Sequence, residues 1–178
     1  MFQKYTSFMG RKYNYLTKSK ITSGLQCQKK LWFDVHQPLK IQKAIFYGGN
    51  RFGNQVVKNY SKKNTNILNL TGDFIQPVEK TLEAIKSDKV DIIFEAAFEY
   101  SNTLVRTDVL IKDNGDWILL EAKSSTKLKP EHISDVSIQS YIVRKSLKQL
   151  GKKLKKIRLI HVNNKFILKN ISDYDGLI

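Results

Sequence analysis

The chain has 178 residues, 41% of them hydrophobic, enough to bury one proper core and most simply read as a single domain over 1–178. No apolar run approaches the roughly 18 residues that span a bilayer, and the basic start MFQKYTSFMGRKYNY lacks the apolar centre and small-residue cleavage site of a secretory signal. The expectation is a cytoplasmic protein that makes no membrane contact. One cysteine, Cys27, excludes a disulfide within the chain and any all-cysteine metal site built by it alone. The net charge of +15 is unevenly placed: residues 1–63 carry 13 Lys/Arg against the single acid Asp34, residues 144–170 carry 10 and no acid, and residues 64–143 are acidic by five charges. Two basic arms around an acidic middle suit the grip of a polyanion with acids, or a cation held by acids, facing it. A lysine-rich solubility surface is the plainer alternative.

In chain order, residues 1–40 read as a basic, helical N-terminal region and 41–170 as the core. The stretch LTKSKITSGLQCQKKLWFDVH (16–36) predicts one helix, capped by Thr17 or Ser19, with Ile21, Leu25, Leu31, Trp32 and Val35 as its apolar stripe. Trp32, Phe33, Phe52 and Tyr60 lie among basic residues and read as core packing before base stacking. A second helix is expected over 39–60, weakened or closely approached at Gly48, Gly49 and Gly53. A short strand near 67–70 and a helix near 77–87 follow, then strands over 91–100, 103–112 and 116–123. A helix from Pro130 to Leu150 ends at Gly151, and KKIRLIHVNNKFIL predicts two strands around Asn163-Asn164. The pattern is α/β, with a central mixed sheet flanked by helices.

Asn114-Gly115 is the strongest two-residue hairpin signal. With that turn Asp113 opposes Asp116 and, five residues back, Asp108 opposes Glu121, with Arg106 opposite Lys123 on the same face. A two-residue turn at Ser101-Asn102 sets Glu95 opposite Asp108. Three acids thus line up across an antiparallel meander. Opposed side chains lie about 5 Å apart at Cβ, and two charges at that distance repel by roughly 3 kcal/mol at an effective dielectric of about 20. The apolar residues assign Val105, Val109, Ile111, Ile118 and Leu120 to one face and Leu104, Leu110, Trp117 and Leu119 to the other, so the sheet is expected to be covered on both sides. Three explanations stand: Arg106 and Lys123 neutralise the acids in a buried ion-pair cluster, a slipped register exposes them, or Asp108, Glu121 and Glu95 are hard carboxylate ligands for a divalent cation, with the Lys123 ammonium one row away. Phosphodiester hydrolysis uses the last set, because a carboxylate-bound Mg²⁺ or Mn²⁺ activates water and neutralises developing charge. Whether Lys123 acts as base or as electrostatic clamp depends on its surroundings.

Asp108, followed on the next strand by Glu121-Ala122-Lys123, resembles the PD-(D/E)XK nuclease superfamily, with Thr107 where the proline of that name would stand. The wider context LTKSKITSGLQCQKKLW (16–32), FYGGNRFGNQVV (46–57), FEAAFEY (94–100), LVRTDVLI (104–111), WILLEAKSSTKLK (117–129), EHISDVSIQSYIV (131–143) and IHVNNKFI (160–167) is similar to its RecB-like branch, in a bacterial family related to the CRISPR-adaptation exonuclease. The resemblance covers most of 16–170. It implies a restriction-endonuclease-like core whose antiparallel three-strand meander carries the acids, and a Mg²⁺- or Mn²⁺-dependent deoxyribonuclease in DNA repair, recombination or defence. By the same resemblance Asp108 and Glu121 are the metal-binding acids, Lys123 is the motif lysine, Glu95 belongs to the family's E-A-A-F strand, and Gln139 is the glutamine of the Q-x-x-x-Y motif. Here Val143 holds the tyrosine position and Tyr141 lies two residues after the glutamine. A histidine that many relatives carry in the early helix is replaced by Gly53.

Cys27 corresponds to an iron–sulfur ligand of some relatives, a vestige here, since an iron–sulfur cluster is not expected from this chain alone. Relatives are longer, which leads to the expectation of a protein partner or a further C-terminal domain. The expected partner is single- or double-stranded DNA, met by Lys18, Lys20, Lys29, Lys30, Arg51, Arg106, Arg144, Lys152 and Lys153. The other reading is a non-catalytic nucleic-acid-binding module that retains the nuclease fold.

Overall fold

The computed structural model describes residues 15–37, 46–62, 66–170 and 174–178, with the side chains of 46–51 left out. Its frame is an α/β arrangement around a six-stranded mixed sheet. The elements in chain order are β1 (Leu16–Thr17), α1 (Lys18–Gln26), α2 (Gln28–His36), α3 (Phe46–Ser61), β2 (Ile67–Asn69), α4 (Pro77–Ser87), β3 (Ile92–Tyr100), β4 (Thr103–Asp113), β5 (Asp116–Lys123), α5 (Pro130–Gln149) and β6 (Leu154–His161). The sheet runs β2-β3-β4-β5-β6, antiparallel within β3-β4-β5 and parallel at both flanks, and β1 adds to β4. No described helix is long and apolar enough to cross a membrane.

Both meander turns form as expected. Ser101 and Asn102 (φ 50° and 59°) and Asn114 and Gly115 (φ 50° and 82°) all take the left-handed conformation, the signature of two-residue hairpin turns whose twist matches the strands. The pairs Ile93–Leu110 and Ala96–Thr107, with Leu110–Leu119 and Asp113–Asp116, give the expected register.

The sheet is covered on both faces. On one face Ile93, Phe98, Leu110, Trp117 and Leu119 cluster with Ile85 of α4 and Val143 and Leu147 of α5; on the other Ile92, Phe94, Val109, Ile118 and Leu120 cluster with Phe52 and Val56 of α3. Burial on both sides explains the near-continuous apolar run of β3. One face assignment is corrected. Val105 joins the α5 side together with Leu110, an odd number of residues away, so strand alternation switches between them. The switch falls at Glu95, whose φ of 55° breaks the extended conformation of β3, and pairing skips from Phe94–Val109 to Ala96–Thr107.

Three further expectations change. The helix predicted over 16–36 is two helices: Cys27 is extended (φ −167°, ψ 125°) and exposed at the joint. The pair is closed by a hydrogen bond of 2.5 Å between Ser23 Oγ and Asp34 Oδ2 and by the absence of a side chain at Gly24, where an added Cβ would lie 3.1 Å from Leu31 Cδ2. Trp32 and Phe33, 51% and 41% exposed, are not core; they meet edge to face at 5.2 Å, while Phe52 and Tyr60 do pack against the sheet. Among the described residues no strand follows Asn163: its side chain accepts from Lys165 N–H and donates to Gly176 O, turning the chain toward 174–178. Of the helix expected over 39–60, residues 38–45 lie outside the described residues and α3 accounts for the rest.

Candidate active site

β4 and β5 pair from their turn only as far as Val109–Leu120. Asp108 and Glu121 form the next step in register, and there the ladder opens: the Asp108 carboxylate takes the Ala122 N–H at 2.6 Å, replacing the backbone acceptor that regular pairing would supply. Beyond the gap the same edge of β4 is occupied by β1, with Leu16 opposite Thr103 and Thr17 opposite Leu104, since β3 holds the other edge. The opening between β5 and β1 leads to a cleft of about 780 Å³ lined by Glu95, Asp108, Glu121 and Lys123 on the sheet side and by Phe52, Gly53 and Val56 of α3.

Glu121 is 2% exposed and is surrounded by donors. Its Oε1 lies 3.0 Å from Lys18 Nζ and 2.7 Å from Lys123 Nζ, and its Oε2 accepts from Gln139 Nε2 at 2.7 Å. A carboxylate needs such partners to remain charged in an apolar interior. Lys123 also reaches Asp135 Oδ2 at 2.5 Å. Burial works against the Lys123 ammonium, but the Glu121 charge and the hydrogen bonds to Asp135 and Glu121 outweigh it and raise its pKa. Lys123 is therefore a fixed cation. Asp135 shows the opposite balance: burial raises its carboxyl, and the hydrogen bond from Lys123 with the charges of Lys18 and Lys123 leaves it below the usual range.

Among the described residues no lysine or arginine forms an ion pair with Asp108. Burial, then repulsion from Glu121, push its carboxyl up to about 7, against the pull of the Ala122 N–H and Lys18. Glu95 is likewise raised by burial, partly offset by Arg106. Its positive φ costs about 1–3 kcal/mol for a non-glycine residue, a kind of strain that gathers at functional sites.

The structure thus brings Asp108, Glu121, Lys123, Glu95 and Gln139 to one place. Two members were not foreseen there. Asp135 shares a face of α5 with Gln139, four residues on, a spacing visible in the sequence. Lys18, expected at nucleic acid, is carried in by the pairing of β1 with β4. Tyr141 is 55% exposed and stacks edge to face on Tyr100, away from Glu121.

Arg106 is also placed differently from its expected position opposite Lys123. Its guanidinium donates to Leu70 O and Asp73 O at 2.7 and 2.8 Å, and its Nε lies 3.3 Å from Glu95 Oε2 outside hydrogen-bond geometry. It is a clamp on the 70–74 loop, with both terminal nitrogens engaged by backbone carbonyls. Lys152 and Lys153 lie at the far end of the sheet, where Lys153 O accepts from Trp117 N–H and Lys152 pairs with Asp88. That is about five strand residues, roughly 17 Å, from Asp108. Lys20 donates to Tyr15 O; Lys29, Lys30 and Arg144 are exposed; the Arg51 side chain lies outside those described.

As a cation site, the open step offers hard carboxylate oxygen in Asp108 and Glu121, with Glu95 beside them, and repulsion that a divalent ion would relieve. Buried Gln139 Oε1 has no donor. Among the described residues no group of three or more His, Cys, Asp or Glu stands ready to hold an ion without rearrangement. Mg²⁺ usually keeps several waters and needs only one or two carboxylates, so the donor set fits it.

No protein-family model matches the chain. It is similar to the uncharacterized protein UU173 of Ureaplasma parvum serovar 3 (strain ATCC 700970), 36% identical over 66 residues, which are 36% of this chain and 9% of that protein. The matched region thus spans less than a tenth of the relative's length.

Proposed function

We propose that the chain is a metal-dependent nuclease that hydrolyses DNA phosphodiester bonds, with a restriction-endonuclease-like core of the RecB-like kind and a role in DNA repair, recombination or defence in the cytoplasm. One observation carries the reading: a buried Glu121 and a half-buried Asp108 meet at the step where β4 and β5 part, with no ion pair to Asp108 among the described residues and an ammonium two residues from Glu121. Like charges brought together in a covered sheet cost energy that core packing alone does not return.

Asp108 and Glu121 would hold Mg²⁺ or Mn²⁺, with Glu95 near them; the ion supplies a water of lowered pKa and polarises the phosphoryl oxygen. Lys123, held between Glu121 and Asp135, is placed to fix a phosphate oxygen or the attacking water by charge. Gln139 holds Glu121 in place through Oε2, and its unpartnered Oε1 can accept from water or substrate. The cleft beneath α3 admits a strand to this edge, and Gly53 leaves the wall open there, since a Cβ would meet nothing within 4 Å.

A second reading, a nucleic-acid-binding module with a silent site, is favoured by one feature: Glu121 already has two ammonium partners. The two separate in one assay. Purified protein with single- and double-stranded DNA should cut in Mg²⁺ or Mn²⁺, and Glu121→Gln should abolish cutting while DNA is still bound. Salt-sensitive binding without cutting in either metal, unchanged by Glu121→Gln, is the outcome of the second reading.

A further inference from the structure

Four charged groups from three elements, α1, β5 and α5, close a ring beside the open step. Lys18 Nζ lies 3.0 Å from Glu121 Oε1 and 3.5 Å from Asp135 Oδ2, and Lys123 Nζ lies 2.7 Å from Glu121 Oε1 and 2.5 Å from Asp135 Oδ2. Ammonium and carboxylate alternate, and the ring is neutral as it stands. Glu121 has little room for a further partner, because its oxygens offer about four acceptor directions and three are taken by Lys18, Lys123 and Gln139.

We propose that Lys18 is a built-in rival of the divalent cation at Glu121, and that Asp135 is the carboxylate that receives Lys18 when the cation takes its place. The inference rests on the metal-site reading above and deepens it. One acceptor direction on Oε2 stays open, but a divalent cation brought to Glu121 meets the charge of two ammoniums, and that repulsion favours displacing one of them. Lys123 holds the two carboxylates at 2.7 and 2.5 Å and belongs to the same strand as Glu121. Lys18 holds them at the two longer distances, from the first residue of α1, and α1 enters from a strand of only two residues. Lys18 is the donor that gives way. Its move is short, since Asp135 Oδ2 is already 3.5 Å from it. With Asp135 in place both ammoniums keep a counter-charge after Glu121 turns to the cation; without it they stay on Glu121 and exclude the cation. The two residues are positioning residues, and the position of α1 is linked to occupancy of the site, a linkage that acts equally in both directions.

The test is a calorimetric titration of Mn²⁺ into the full chain, metal-free at the start, for wild type, Lys18→Gln, Lys18→Arg, Asp135→Asn and Asp135→Glu. Removing the rival should tighten Mn²⁺ binding by about fivefold in Lys18→Gln, the scale of one partly exposed ion pair, while Lys18→Arg stays near wild type. Asp135→Asn should weaken binding by about as much, and Asp135→Glu should restore it. If Asp135→Asn fails to fold, the two Lys18 variants decide alone. An affinity that Lys18→Gln leaves unchanged or weakens overturns the inference. The isotherm needs no turnover: wild type that binds Mn²⁺ but never cuts DNA ends the nuclease reading and leaves the role of Lys18 standing. Wild type that cuts DNA while Lys18→Gln binds Mn²⁺ no more tightly ends the inference alone.

Discussion

Asp108→Asn isolates the cost of the unpaired carboxylate. The folded protein keeps the Asp108 proton up to about pH 7, while a free aspartate releases it near 3.8. Between those values the unfolded chain has released a proton that the folded chain retains, so folding loses stability as pH rises through this window. The full cost is present above about pH 7 and absent below the unfolded value. Three pK units correspond to about 4 kcal/mol. Because Glu121 shares the repulsion, and Asn also loses whatever Lys18 gives the carboxylate, about 2 kcal/mol is the expected net gain. Asn fits the site: Oδ1 can still accept from Ala122 N–H, and Nδ2 offers the carboxylates a donor. Metal-free Asp108→Asn should therefore melt roughly 4–8 °C above wild type at pH 8, and the two curves should converge toward pH 4. Added Mg²⁺ should raise the wild-type melting temperature and not that of the variant. A variant less stable than wild type at pH 8, or a gap that does not change with pH, would refute the reasoning.

Substitutions at three other positions probe the same framework. Glu121→Gln removes the shared counter-charge of Lys18 and Lys123, and should cost about 2–3 kcal/mol by urea denaturation; an unchanged midpoint would mean that Glu121 does not hold the two lysines. At position 95 the left-handed backbone reverses the usual strand preference, so Glu95→Gly should be about 1 kcal/mol more stable than Glu95→Ala in the same measurement, and the opposite order would remove the strain. Arg106→Gln should speed hydrogen exchange across residues 70–74 while leaving the salt slope of DNA binding unchanged; a slope reduced by about one would return Arg106 to the phosphate contacts.

The meander was legible because its turns are written locally: Asn114-Gly115 and Ser101-Asn102 set two registers, and two registers set three strands. From there Asp108 and Glu121 were brought to one step by counting. The same counting missed what happens at that step. Glu95 adopts a left-handed conformation without being glycine, which no turn signal marks, and so the change of face at Val105 could not be read. Cys27 likewise interrupts a helix without Pro or Gly, the break being held by the Ser23–Asp34 hydrogen bond and the close approach at Gly24. Asp135 carried a readable signal, its spacing from Gln139 on one helix face. Lys18 carried none, because its place depends on a two-residue strand finding an edge of β4 far along the chain. Positive charge misled in the other direction: Arg106, and Lys152 and Lys153 of the basic stretch 144–170, were expected at phosphate, yet the fold commits the first to backbone carbonyls and sets the other two at the far end of the sheet.

The central claim is that the opening between β4 and β5 is a cation site, and anomalous diffraction from crystals soaked in Mn²⁺ addresses it directly. A single strong peak between Asp108 and Glu121, with Lys18 Nζ withdrawn toward Asp135, is the predicted result. Clear density with no peak there, and Lys18 and Lys123 both still on Glu121 at saturating Mn²⁺, would contradict it.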